Sequence, residues 1–432
     1  MYVIKTAIDL MRRYSICDNC LGRVFANLLT GYSNKERGRF VKSVVAMLID
    51  CGEKIEIDPS NIRDIKLRNL KVEAEKKKCY FCGDFFENKI EFLAKKIVEK
   101  LKEYDFSTFL IGTKLSGELK LKEEEMLDLI NPEFYESIKS EINREIGKKV
   151  EAMTNKRMNR EAPEVIVLVD LEKEVVSLNV KSLFIVGEYK KFVRNLPQAT
   201  WYCQSCKGKG CENCKGTGLL YKSSVQMIIE KPILKVTKGK KSKIHAAGRE
   251  DIDVRCLGWR PFVIEIVKPK VRKVELKKLE KEINKSKKIK VRLIKVVEDG
   301  NKLVKFLKSE KAEKTYLAEV VFEKQIDKNK LKLIDGLKNS VIYQKTPTRV
   351  LKRRSDRIRK KYVREIKWKL KNSKTLILKI RASSGLYVKE LITGDEGRTK
   401  PSISEILNNK PIKVLLDVIK IHSDWKRMIG GR

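Results

Sequence analysis

Cys203, Cys206, Cys211 and Cys214 stand in CQSCKGKGCENCKGTG as C-x2-C-x4-C-x2-C, and no other feature restricts the folding of the chain so sharply. The stretch is too rich in Gly and Lys to build an apolar core, so the cysteines must hold it together. Each pair offers two thiolates from one tight turn, and the intervening glycines let the backbone fold back to complete a tetrahedron. The spacing therefore reads as a closed, structural four-thiolate zinc site, with unliganded surface thiols as the alternative. NLPQAT, at 195–200, interrupts the apolar pattern just before this knuckle, which places a domain boundary there.

A second quartet is more dispersed. Cys17 and Cys20 (CDNC) are separated from Cys79 and Cys82 (CYFC) by residues 21–78, but loop-closure entropy grows slowly with length, so up to two zinc ions are expected. Cys51 and Cys256, each among apolar neighbours, read as small core residues. No apolar run is long enough to span a membrane, and MYVIKTAIDLMRRY reads as an amphipathic helix without a cleavage site. Clustered cysteines in such a chain point to metal in a reducing cytoplasm rather than to a secreted disulfide scaffold. The knuckle resembles one zinc module of the DnaJ-type co-chaperones. That likeness is confined to 203–218, and His245 and His422, the only histidines, leave no His-Pro-Asp signature.

The 432 residues imply two or three domains. Lys and Arg total 97 against 57 Asp and Glu, a formal net charge of +40, which attracts a polyanion at range: nucleic acid first, an acidic membrane surface second. A thermophile's charged surface would explain the abundance of charge but not its sign. Residues 1–87 read as a helix-rich region carrying the CxxC pairs. Residues 88–198 read as a small α/β module, with a helix in NKIEFLAKKIVEKLKEY and strands in VIVLVDL, VVSLNV and SLFIVGEYKKF. After the knuckle at 199–220, residues 221–432 alternate expected strands (VQMIIEKPILKV, PFVIEIV, KIKVRLIKVV, TYLAEVVF, TLILKIRA) with charged helices such as KVELKKLEKEINKS. The whole is a multidomain α+β chain with a mostly antiparallel C-terminal sheet. RVLKRRSDRIRKK, at 349–361, is the densest basic run, and Arg353, Arg354 and Arg357 are candidate phosphate contacts. A solvated helix face is the alternative.

Within HAAGREDIDVRCLG, at 245–258, Asp251 and Asp253 sit among arginines and glycines. Chemistry alone leaves them open between turn residues, structural ion pairs and a reactive carboxylate. A nucleophilic or general-base carboxylate needs a cation beside it. Arg249 and Arg255 are local candidates, and KTYLAEVVF and RASSGLYVKEL bring further chemistry in Tyr316 and Lys389.

These residues resemble three motifs of pseudouridine synthases. GRED at 248–251 is similar to their GR-x-D, Tyr316 to the second motif and GLYVKEL at 385–391 to the third. Together with the CxxC pairs, SLFIVGEYKKFVRNLPQ, GREDIDVRCLG and TPTRVLKRRSDRIR, they identify the chain as resembling the archaeal tRNA pseudouridine synthases of the Pus-ten family over nearly its whole length. The resemblance implies a THUMP-like RNA-binding module within 88–198, a catalytic domain over 221–432, tRNA as partner, and no organic cofactor. It implies isomerisation of uridines 54 and 55, in tRNA numbering, in the TΨC arm. Carried over, Asp251 is the catalytic aspartate and Asp253 structural. Tyr316 stacks on the base, Lys389 pairs with Asp251, Val388 and Leu416 form an apolar wall, and Arg249 fills the space left by the extruded nucleotide or holds its phosphate. No membrane or obligate protein partner is implied. Competing readings are another THUMP-bearing tRNA modifier, for which no phosphate or methyl-donor loop is found, and a non-catalytic zinc-dependent tRNA-binding protein. A zinc deaminase would need H-x-E, but Ala246 and Ala247 follow His245.

Overall fold

The computed structural model describes residues 2–68 and 73–430, with the side chains of Lys352 and Arg353 outside the described residues. Two units divide at Lys181/Ser182. In the first, the strands Arg157–Met158, Thr108–Lys114, Val165–Asp170 and Val175–Val180 lie side by side in that order. Phe109 and Ile111 are buried and alternate with half-buried neighbours, and Val165, Val167 and Val169 alternate with half-buried or exposed ones, so one sheet face is the apolar, covered one. Ile90–Leu101 and Ile138–Thr154 contribute Leu93, Ile97, Ile142 and Ile146 to the same core. That core continues without a break into the N-terminal helices Tyr2–Arg13 and Asn34–Asp50 through Leu10, Met11, Val41 and Val45. The expected region 1–87 thus shares one interior with that part of the expected region 88–198 that belongs to this unit.

The second unit is built on a ten-stranded sheet. Its order is Thr399–Lys400, Val341–Gln344, Arg359–Asn372, Thr375–Ala382, Glu313–Phe322, Pro411–His422, Arg255–Val267, Leu183–Lys191 and Ile289–Val297, with Lys241–Ala246 also paired to Arg255–Val267. All pairings are antiparallel except that of Pro411–His422 with Arg255–Val267. Leu183–Lys191, expected in the preceding module, is a central strand here. Its Leu183 and Ile185 enter one core while Phe184 and Val186 enter another, and a run buried on both faces is what a covered central strand requires. The break at NLPQAT therefore lies inside the second unit rather than between units.

VQMIIEKPILKV, expected as a strand, is the helix Val225–Thr237. Ser224 caps it by accepting from the Met227 N–H, and Val225, Ile229 and Ile233, four residues apart, form its buried face. β-Branched residues suggested a strand, but that spacing and a proline with no N–H for a ladder favour a helix. Cys256 is fully buried as expected; Cys51, at the end of Asn34–Asp50, is exposed.

Candidate active site

GRED falls in the turn leading from Lys241–Ala246 into Arg255–Val267, not in an extended strand. Gly248 has φ +76°, a backbone conformation that favours glycine, and a Cβ there would lie 3.2 Å from the Lys314 Nζ. Glu250 turns inward, with its side chain 1% exposed, to Arg260 at 3.0 Å and Lys191 at 3.7 Å, and accepts from the Tyr189 hydroxyl at 3.3 Å. Gln198 donates to that hydroxyl at 2.8 Å and to the Gly248 carbonyl at 3.1 Å. The carbonyls of the turn, which no sheet partner satisfies, accept from cations. Arg260 donates to Ala247 at 2.7 Å, Lys191 to Asp251 and Ile252 at 3.3 and 3.2 Å, and Arg194 to Asp253 at 2.8 Å. Burial lowers the Lys191 pKa and raises that of Tyr189.

Asp251 turns outward into a cavity of about 310 Å³ lined also by Tyr316, Arg349, Val388, Lys389 and Leu416. The residues picked out by the three motifs are thus brought together. Val388 and Leu416 are 3% and 5% exposed and form apolar wall. Burial, then the nearby carboxylates Asp251 and Glu250, push the Tyr316 phenol up to about 12 against the opposing charge of Arg260, so it stays protonated at neutral pH.

The cation pairing differs from expectation. Lys389 donates to both oxygens of Asp253, at 2.6 and 2.8 Å, and lies 3.9 Å from Asp251. Asp251 instead meets the Arg349 guanidinium at 2.9 Å. The reason is local: residues 252 and 253 form a tight turn that swings Asp253 toward the start of the helix Val388–Thr393. Burial opposes ionisation of Asp253, but the Lys389 hydrogen bonds and charge outweigh it and hold its carboxyl below the usual range. Arg255 is taken up by Asp417, at 2.5 and 2.9 Å.

The basic run is not a solvated helix. It forms a short 3-10 turn, Thr348–Arg353, and then extends into the strand Arg359–Asn372. Arg354 is exposed and donates to the Tyr387 hydroxyl at 2.9 Å; Arg357 is exposed; the side chain of Arg353 lies outside the described residues. Arg249 is exposed, its guanidinium 5.1 Å from the centre of the Trp201 ring at the base of the knuckle.

Sequence reading passed over Glu250, Lys191, Arg260 and Arg349. Arg260 had a signal, being a cation running directly into the apolar PFVIEIV, which requires a buried counter-charge; Lys191, ending its strand beside Lys190, had little. Arg349 had none beyond membership of a basic run.

Both cysteine quartets close. In each, the four sulfurs lie within 4.8 Å of one another, an arrangement that could hold a metal ion, and four thiolates suit zinc. In the knuckle, the N–H groups of Gly210, Cys211 and Gly218 donate to cysteine sulfurs at 3.1–3.2 Å. The long-gap quartet is assembled by the first unit's core. Asn61, buried, donates to the Met11 and Tyr14 carbonyls and accepts from the Ile16 N–H, the Tyr80 N–H donates to the Ser15 carbonyl, and Tyr14, Tyr80 and Phe81 pack ring against ring. Gly38 allows close approach, since a Cβ there would lie 1.9 Å from the Asp18 carbonyl oxygen, beside Cys17. Among the described residues no helix is long and apolar enough to cross a membrane.

Comparison with known proteins yields two family matches: "Pus10, C-terminal" over residues 184–422 and "Pus10 THUMP domain, archaeal" over residues 93–170. The tRNA pseudouridine synthase Pus10 of Methanocaldococcus jannaschii is 42% identical over 441 aligned residues, covering 96% of this chain and 94% of that protein. That of Methanothrix thermoacetophila is 39% identical over 427, covering 97% and 94%. Among solved structures, a Cbf5-Nop10-Gar1 complex shows a TM-score of 0.29 at 12% identity, covering 53% of this chain and 47% of the matched one. A pseudouridylate synthase gives 0.22 at 16%, covering 54% and 63%.

Proposed function

This chain belongs to the Pus10 family of tRNA pseudouridine synthases, and from that premise we propose that Asp251 is the reacting carboxylate and the uridines of the TΨC arm, 54 and 55 in tRNA numbering, its targets. The enzyme is an isomerase: the bond from ribose C1′ to uracil N1 breaks, a bond from C1′ to C5 forms, and the proton lost from C5 is matched by one gained at N1. The observation that carries the assignment is the outward turn of Asp251 into a cavity whose walls are Tyr316, Val388 and Leu416. A base extruded from the RNA stack needs an aromatic face and apolar contact. Tyr316 supplies the first, its hydroxyl held protonated at neutral pH by burial, and Val388 and Leu416 supply the second. Lys389 holds Asp253, on the far side of the turn that presents Asp251.

Arg354, which lines the cavity, and Arg357, exposed three residues on, suit phosphates, as does Arg353 by its sequence position; Arg249 on its Trp201 ledge suits the nucleotide's backbone or the gap in the stack. Each quartet would hold one structural zinc, which ties the knuckle together and adds to the core of the first unit. Elemental analysis after native purification should find about two zinc ions per chain.

Asp251→Asn preserves size while removing charge. With unmodified tRNA it should bind normally and leave no pseudouridine at 54 or 55 when the product is mapped by carbodiimide-stop primer extension. An active Asp251→Asn beside a dead Asp253→Asn would move the assignment two residues on.

A further inference from the structure

The cation that meets Asp251 belongs to neither of the segments that carry the other motif residues. Arg349 comes from the short turn Thr348–Arg353, whose first N–H, at Thr348, donates to Asp395 at 3.0 Å. Its Nε donates to Glu390 at 2.6 Å, and its Nη2 reaches the other Glu390 oxygen at 3.5 Å and Asp251 at 2.9 Å. One planar group thus bridges two carboxylates.

Glu390 is 5% exposed at its side chain, and among the described residues no other cation is found within 4.0 Å of it. It follows Lys389 directly on the helix Val388–Thr393, so adjacent residues project in different directions. Lys389 reaches Asp253, and Glu390 reaches Arg349. The result is a chain of alternating charge, Asp253, Lys389, Asp251, Arg349, Glu390, in which the long 3.9 Å link is the one between Lys389 and Asp251.

We infer that Arg349, anchored by Glu390, is the principal positioning residue of Asp251, and that Lys389 serves Asp251 mainly by holding Asp253. The inference rests on the reading of Asp251 as the reacting carboxylate. The guanidinium fork is what the geometry requires. A rigid plane with donors on two sides fixes the direction of both carboxylates, whereas an ammonium is a point charge on a flexible stem. The arrangement also gives the basic run two jobs along its length, with Arg349 turned to the carboxylate and Arg354 and Arg357 exposed.

The test is single-turnover conversion of unmodified tRNA by excess full-length enzyme, with tRNA affinity measured in parallel. Arg349→Ala should slow conversion roughly 100-fold, the usual consequence of a reacting group misplaced by about 1 Å, while affinity changes only a few-fold. Millimolar guanidinium should restore part of the rate; sodium chloride at equal ionic strength should not. Arg349→Lys should remain slow, and Lys389→Met should be less impaired than Arg349→Ala. A full rate in folded Arg349→Ala, or a slow rate that guanidinium leaves unchanged, overturns the inference. Should Arg349→Ala fail to fold, Arg349→Lys decides: a slow rate with intact tRNA affinity supports the bridging role, and a full rate removes it. Asp251→Asn run alongside separates the two layers. If it is inactive while Arg349→Ala is at full rate, only the role of Arg349 fails; if it is active, the reading of Asp251 fails.

Discussion

Glu250 and Asp251 are consecutive acids of one turn, and they face regions built on opposite plans. Behind the turn, Glu250 lies among Arg260, Lys191 and Tyr189 with almost no access to water, and the same cations bind the turn's carbonyls. In front, Asp251 is 39% exposed, meets Arg349 and Lys389 at the rim of a cavity, and shares them with Asp253 and Glu390. A buried ion pair is costly to form and costlier to break, so the back is a rigid mount. The Arg349–Asp251 pair, more than a third exposed on both sides, contributes little stability, so what the front draws from it is the direction of Asp251. The difference teaches that the sequence-adjacent acids divide the labour: one fixes the turn and the other uses it.

The comparison breaks first, if it is wrong, at Glu250. Glu250→Ala leaves Arg260 and Lys191 buried without their carboxylate and should cost about 3–5 kcal/mol in denaturant unfolding, whereas Asp251→Asn should stay within about 0.5 kcal/mol of the parent. Equal losses would erase the distinction.

Lys314, 8% exposed and lining the cavity from behind, tests the back region by pH. Burial, then the charge of Arg260, lower its pKa from 10.5 to about 8, against the opposing pull of Glu310, Cys256 and Glu250. Between those values the unfolded chain binds the proton and the folded chain does not, so stability rises with pH across that window. Below pH 8 the penalty for burying the charge is fully present. Lys314→Met should therefore stabilise the protein by about 1–3 kcal/mol at pH 7. The gain should fade as the pH is raised from 8 toward 10.5 in melting experiments. A gain independent of pH would mean that the methionine merely packs better.

The front is sharpened by salt. Replacing Arg353, Arg354 and Arg357 together by Ala should make the slope of log tRNA affinity against log salt shallower by about 2–3. An unchanged slope would move the phosphate contacts off this run. The smallest effect is expected at Asp253. Its pair with Lys389 is half exposed, so Asp253→Asn should change stability by about 0–1 kcal/mol, with pseudouridine formation retained within a few-fold.

PFVIEIV, TYLAEVVF and TLILKIRA were legible as strands because the residues that alternate toward a covered face are apolar. Where the same β-branched composition served a helix, at Val225–Thr237, composition misled and only the four-residue spacing of Val225, Ile229 and Ile233 told the truth. SLFIVGEYKKF was legible as a strand but not as a member of the second unit's sheet, since a strand's sequence records that both faces are covered and not by whom.

By itself the sequence determined what is local or carried by fixed spacing: the knuckle, the GRED turn with its glycine, the two helical faces of the first unit's core, and the three motifs that converge on Asp251. Tertiary structure alone decided the partners. Whether Lys389 takes Asp251 or Asp253, whether Arg349 faces solvent or a carboxylate, and whether Cys51 is covered depend on distances of a few ångströms between segments far apart in the chain. Electrostatic preference changes steeply over such distances, and nothing in the order of residues records them.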